Sequence, residues 1–135
     1  MLKSYRHLGS QLCVGLTSSS FVVVVKSAVE NFEQRDFIRM TWGSANNVPR
    51  FDQVVFMVGA TRDEALQKRI DREVAQHRDV VQYEMIDSYK NLTLKSLAIL
   101  QWYQKYCGQA GWLVSTDDDI VIDVGKFFVS FAPKL

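Results

Sequence analysis

The chain reads as an α/β domain with a largely parallel sheet, and three observations predict it. Short β-branched or aromatic runs alternate with longer stretches of helical periodicity, in the order strand, helix, strand, helix, strand, helix, strand. The first run, Phe21-Val22-Val23-Val24-Val25, is apolar without a break, as expected of a strand covered on both faces. Three consecutive carboxylates, Asp117-Asp118-Asp119, stand between two further apolar runs. In a parallel sheet that position is a strand's carboxyl end, where ligands sit.

Residues 1–20 are mixed and Ser-rich, and read as an irregular lead-in to a domain covering 21–135. After the first strand, Ser27 precedes Glu30 at capping-box spacing, which predicts a helix to about Trp42, with Gly43 as its stop. Gln53 to Val58 is the second strand, closed by Gly59. Thr61 and Glu64 repeat the capping-box spacing, and Leu66, Ile70 and Val74 form an apolar stripe on the second helix. Val80 to Ile86 is the third strand. Ser88 or Asn91 caps the third helix, whose Leu94, Leu97, Ala98 and Trp102 share a face up to about Tyr106. Gly108 and Gly111 end it before Gly111 to Val114, the strand that delivers the carboxylates. Ile120 to Ile122 reads as another short strand and Lys126 to Phe131 as a last helix.

The 135 residues fit one domain, and a 47% hydrophobic content suffices for a core. A net charge of +1 argues against a nucleic-acid partner, which calls for a basic excess. No apolar run approaches the roughly 20 residues needed to cross a bilayer. Cys13 and Cys107 permit one disulfide without demanding it.

Asp is disfavoured in strands, and three adjacent like charges repel. Mg²⁺ or Mn²⁺ is the hard counter-ion that carboxylate oxygens prefer and that also bridges to phosphate; a solvated acidic turn is the alternative. Arg35 and Arg39 lie four apart on one helix face, where like charges repel unless an anion relieves them. Two snorkelling surface arginines are the alternative there. Asp87-Ser88-Tyr89-Lys90-Asn91-Leu92-Thr93-Leu94-Lys95 gathers polar groups at a strand-to-helix junction, suited to phosphate through backbone N–H groups and Lys95, or to plain capping. Asn91-Leu92-Thr93 is also an N-glycosylation sequon. The chain carries no Gly-rich phosphate loop.

These residues carry a resemblance. Arg35-Asp36-Phe37-Ile38-Arg39-Met40-Thr41-Trp42-Gly43 resembles the R-x-x-I-R-x-T-W-G motif of the β-1,3-galactosyltransferase and N-acetylglucosaminyltransferase family, glycosyltransferase family 31. Phe56-Met57-Val58-Gly59, then Glu73 with Asp79-Val80-Val81, then the Asp87 to Lys95 block, then Trp102, Cys107 and the aspartate triplet follow in that family's order. The resemblance runs from about Phe21 to Asp123. It implies a GT-A fold, Rossmann-like, with this chain supplying the N-terminal donor-binding half. It implies inverting transfer of a hexose, galactose or N-acetylglucosamine, from a UDP-sugar donor to a glycan hydroxyl on glycoprotein or glycolipid. Mn²⁺ or Mg²⁺ is then held by Asp119 and Asp117, while Arg35, Arg39, Asp87, Lys95, Asp117 and Asp118 surround the nucleotide-sugar. Relatives are type II Golgi membrane proteins with the enzyme on the lumenal side. The family's general base lies in an acidic E-D-V-x-x-G segment downstream of the triplet, and its membrane anchor lies upstream of Phe21. Neither occurs here, which places the expected base beyond Leu135 and leaves the catalytic residue unassigned. The expectation is a partial domain that is catalytically silent alone. A non-catalytic UDP-sugar and metal-binding module, or an inert fragment, is the competing expectation.

Overall fold

The computed structural model describes residues 5–86 and 92–131. Four parallel strands, β2 (Phe21–Lys26), β3 (Gln53–Ala60), β4 (Val80–Ile86) and β5 (Trp112–Asp117), form the sheet. A short β1 (Tyr5–His7) pairs antiparallel with β4. The order across the sheet is β1-β4-β3-β2-β5. The helices are α1 (Phe32–Met40), α2 (Glu64–His77), α3 (Leu92–Tyr106) and α4 (Val124–Phe131). The mixed α/β architecture and mostly parallel sheet agree with the expected GT-A-like fold.

The continuous valine run of β2 has a direct consequence. Successive side chains point to opposite faces, so Val22 and Val24 enter one core, while Phe21, Val23 and Val25 enter the other. The first core is covered by α3, through Ile99 and Trp102, and by the segment around Cys13. The second is covered by α1, α2 and α4, through Ile38, Ile70, Phe127 and Phe128. All of Val22 to Val25 are fully buried.

The N-terminal segment is more ordered than an irregular lead-in. Besides β1, Trp102 Nε1 donates to the Leu8 carbonyl at 2.8 Å. Cys13 and Cys107 are disulfide-bonded and fully buried. Gly111 admits the segment at close range: a Cβ there would stand 1.7 Å from the Ser18 carbonyl oxygen. Residues 5–20 are thus fastened to the sheet edge and to the C-terminal part of α3.

Other boundaries differ for stated reasons. α1 begins at Phe32 because Ser27 does not cap it; its hydroxyl is engaged elsewhere, as shown below. The α2 cap is Asp63, which accepts from the Leu66 N–H at 3.1 Å, while Thr61 Oγ1 accepts from the Asp63 N–H. Leu97 is exposed, and the buried face of α3 runs through Lys95, Ala98, Ile99 and Trp102. Ile120–Ile122 is not a strand. The chain turns just before it, at Asp118 and Asp119, and the Ile120 carbonyl is taken by Trp42 Nε1 at 2.9 Å. Among the described residues, no helix is long and apolar enough to cross a membrane.

Candidate functional site

The sheet order creates a switch point. From β2 the chain steps outward to β3 and β4, then returns to place β5 on the other side of β2. Crevices at the carboxyl ends of strands that diverge this way are where open α/β sheets bind ligands. β2 and β5 stay in register to their ends, so Lys26 lies opposite Asp117. Lys26 Nζ is 3.8 Å from Asp117 Oδ1.

The three carboxylates are not equivalent. The Asp117 side chain is 61% exposed, and Asp119 is exposed in the turn that follows. Asp118 is held inward. Its Oδ2 accepts from Ser27 Oγ at 2.8 Å and from Asn31 Nδ2 at 2.9 Å, and its N–H donates to the Lys26 carbonyl at 3.2 Å. Asp118 and Asp119 border a cleft of about 390 Å³ shared with Glu33, Gln34, Phe37 and Val121.

Two buried cations lie behind this corner. Lys95 Nζ donates to the Ser27 carbonyl at 2.8 Å. Arg35 is fully buried, and all five of its N–H donors are spent within the chain. Nε and Nη2 grip both Glu73 oxygens, at 2.8 and 2.9 Å. Nη1 donates to Ser27 Oγ and the Ala28 carbonyl, and Nη2 also to the Val29 carbonyl. Arg39 pairs with Asp79 through two hydrogen bonds of 2.8 Å, with Glu73 at 2.8 Å and with Asp36 at 2.7 Å. Burial works against the Arg39 charge, but Asp79 and Glu73 outweigh it and hold its pKa above the usual arginine value.

The expectation that an anionic ligand balances Arg35 and Arg39 is therefore corrected: Glu73 and Asp79 do so. Arg35 supports the loop after β2 from beneath. Trp42 is a core residue, 4% exposed, packed edge-on against Phe51. Asp87, Tyr89 and the sequon residue Asn91 lie outside the described residues. So does Leu135. Sequence reading missed Ser27 and Asn31 as partners of Asp118, because both fit local capping patterns.

The donor set at Asp117 and Asp119 is hard oxygen, with two carboxylates open to solvent. Among the described residues no group of three or more His, Cys, Asp or Glu side chains converges into a cage. A carboxylate pair of this kind suits Mg²⁺ or Mn²⁺, which keep water ligands and take further oxygens from substrate phosphates. The carboxylate oxygens of Asp117 and Asp119 are of the donor type such a cation takes. A larger cleft of about 540 Å³ lies at the opposite, β1–β4 edge, between Arg6, Lys68 and Glu84. Its floor is already paired: Gln67 and Gln82 exchange amide hydrogen bonds of 2.8 and 2.9 Å. The switch-point corner is the better candidate.

Residues 33–134 match the family described as Galactosyltransferase. The chain belongs to that family. It is 38% identical over 117 residues to beta-1,3-galactosyltransferase 4 of Mus musculus, covering 85% of this chain and 31% of that protein. It is 34% identical over 109 residues to beta-1,3-galactosyltransferase 5 of Pan paniscus, covering 80% and 36% respectively. Against beta-1,3-galactosyltransferase 1 of Mus musculus the identity is 32% over 104 residues, covering 76% and 32%. This galactosyltransferase-family chain thus spans about a third of the length of these relatives. The family match takes in α1 from Glu33, the Asp87 to Lys95 block and the aspartate triplet.

Proposed function

We propose that this polypeptide forms the donor-binding half of an inverting β-1,3-hexosyltransferase, which takes galactose or N-acetylglucosamine from a UDP-sugar to a glycan hydroxyl. The observation that carries the reading is the divided triplet at the switch point, with Asp118 tied inward and Asp117 and Asp119 left open. Family membership and the relatives' printed names support the chemistry.

Asp117 and Asp119 would hold Mn²⁺ or Mg²⁺. When bound, the cation supplies positive charge to the UDP leaving group without transferring a proton. The chain's own part is to hold that corner rigid. The loop after β2 is fixed by Arg35 and Lys95, and β5 is fixed to that loop through Asp118. Asp87 and Lys95 are assigned to the nucleotide-sugar, and Lys95, buried against the Ser27 carbonyl, adds positive potential from beneath. We assign no general base to these residues. A glycan on glycoprotein or glycolipid is the acceptor, and the lumenal side of the Golgi membrane is the place of action. The buried Cys13–Cys107 disulfide supports that setting, because such bonds persist in oxidising compartments.

Titration calorimetry with UDP, with and without Mn²⁺, tests the reading. UDP binding that strengthens with Mn²⁺ is expected, and Asp117→Asn or Asp119→Asn should weaken it by at least about tenfold. Absence of any Mn²⁺-dependent UDP binding overturns it.

A further inference from the structure

We infer that Ser27 is the positioning residue of the acidic corner: it sets the direction of Asp118 and thereby the placement of Asp117 and Asp119. The inference rests on the donor-binding role proposed above and names a residue outside the aspartate motif.

The direction of the Ser27 hydroxyl follows from chemistry. A guanidinium can only donate, so at the 2.9 Å contact with Arg35 Nη1 the serine oxygen must accept. Its single proton is left for another acceptor. Asp118 Oδ2, at 2.8 Å, is the better one, since the Ala28 carbonyl lies at 3.4 Å. Every other polar group of Ser27 is engaged too. Its N–H donates to the Met57 carbonyl at 3.1 Å, and its carbonyl accepts from Lys95. The residue is 2% exposed. It is the link through which the Glu73–Arg35 pair, joining α2 to α1, reaches the end of β5.

A second observation is independent of that chain. Asn31 is the N-cap of α1, yet its side chain makes no cap hydrogen bond. It donates to the same Asp118 Oδ2 instead, at 2.9 Å. Ser27 and Asn31, two residue types that ordinarily serve a helix start, are both turned to one carboxylate oxygen. With its backbone N–H also fixed on Lys26, Asp118 is pinned at side chain and main chain alike. The residues on either side are left exposed at the corner. Asp118 acts as a brace, and Ser27 holds it.

The test compares Mn²⁺-dependent UDP affinity, by titration calorimetry, in the full chain and in Ser27→Ala, Ser27→Thr and Asn31→Asp. Release of the Mn²⁺ electron paramagnetic resonance signal gives a second readout. Ser27→Ala should lose at least about tenfold in the affinity increment that Mn²⁺ confers, with UDP affinity in chelator unchanged. Ser27→Thr, which keeps the hydroxyl, should restore the increment to within about threefold, on the same scale. Asn31→Asp sets a second carboxylate against Asp118 on a part-exposed loop, and should reproduce the loss should Ser27→Ala not fold. A cooperatively melting Ser27→Ala that keeps the full increment overturns the inference while leaving the donor-binding reading intact. So does an equal loss with and without Mn²⁺, which marks a merely structural role. An Asn31→Asp variant that keeps the full increment overturns it as well. A wild-type chain without any Mn²⁺ increment overturns the donor-binding reading, and this inference with it.

Discussion

Glu73 carries two arginines. Its Oε2 accepts from Arg35 Nε and Arg39 Nη2, both at 2.8 Å, and its side chain is 6% exposed. Removing one partner of a buried ion pair leaves an unpaired charge, at a cost of about 3–5 kcal/mol, whereas an exposed pair contributes roughly 0–1 kcal/mol. Glu73→Gln should therefore lower the unfolding free energy by about 3 kcal/mol, read from urea titration. Asp36→Ala, which removes a 58%-exposed partner of Arg39, should change it by less than about 1 kcal/mol. Equal effects would refute the assignment of Glu73 as the shared counter-charge. The sequence displayed the problem but hid the solution. Arg35 and Arg39 announced an unrelieved like-charge pair at helical spacing, while Glu73 and Asp79 lie 34 to 40 residues on, beyond any local pattern. Ser27 and Asn31 were hidden differently. Their residue types fit a helix start so well that only the fold reveals Asp118, 91 and 87 residues away, as their partner.

At the scale of elements, the β-branched runs and apolar stripes made the central strands and α2 legible, because burial on a sheet or helix face imposes a period on the sequence. β1 escaped because three residues on a sheet edge impose none. Side chains reinforce its pairing with β4. Arg6 donates to Asp71 Oδ1 and Oδ2 at 3.2 and 3.0 Å, and His7 Nε2 lies 2.7 Å from Asp71 Oδ1. The hydrogen bond from Arg6 chiefly holds the Asp71 carboxyl well below the usual carboxylate range, against the opposing pull of burial, with His7 and Gln67 adding to it. A carboxyl whose pKa falls on folding binds fewer protons when folded. Its stabilisation is complete above the ordinary aspartate pKa of about 3.9, and fades as pH falls from there towards the depressed folded value. The melting temperature of the wild type should exceed that of Asp71→Asn at pH 6, and the gap should shrink as pH drops below about 4. A gap that stays constant down to pH 2.5 would contradict the clamp.

For the whole molecule, the alternation of elements made the parallel sheet readable, but not how residues 5–20 return to it. Two cysteines 94 residues apart allow a bond without requiring one. The fold brings their Cα atoms to 5.2 Å, both within the first core, with Cys107 just past the end of α3. The bond closes most of the chain into one loop, spanning β2, β3, β4 and all the helices but α4. Restricting so long a loop removes much of the unfolded chain's freedom, and loss of a native disulfide of this kind costs about 2–5 kcal/mol. The triplet depends on it indirectly. Gly111, which feeds β5, packs on the Ser18 carbonyl, and Ser18 lies inside the segment that Cys13 anchors. Reduction should lower the urea midpoint by an amount equivalent to about 3 kcal/mol. Hydrogen exchange should then quicken first in residues 8–20 and at the start of β5, while the β2–β3 ladder stays protected. Uniform quickening across the sheet would instead show that the bond stabilises the molecule only globally, with no particular hold on the strand that carries the aspartates.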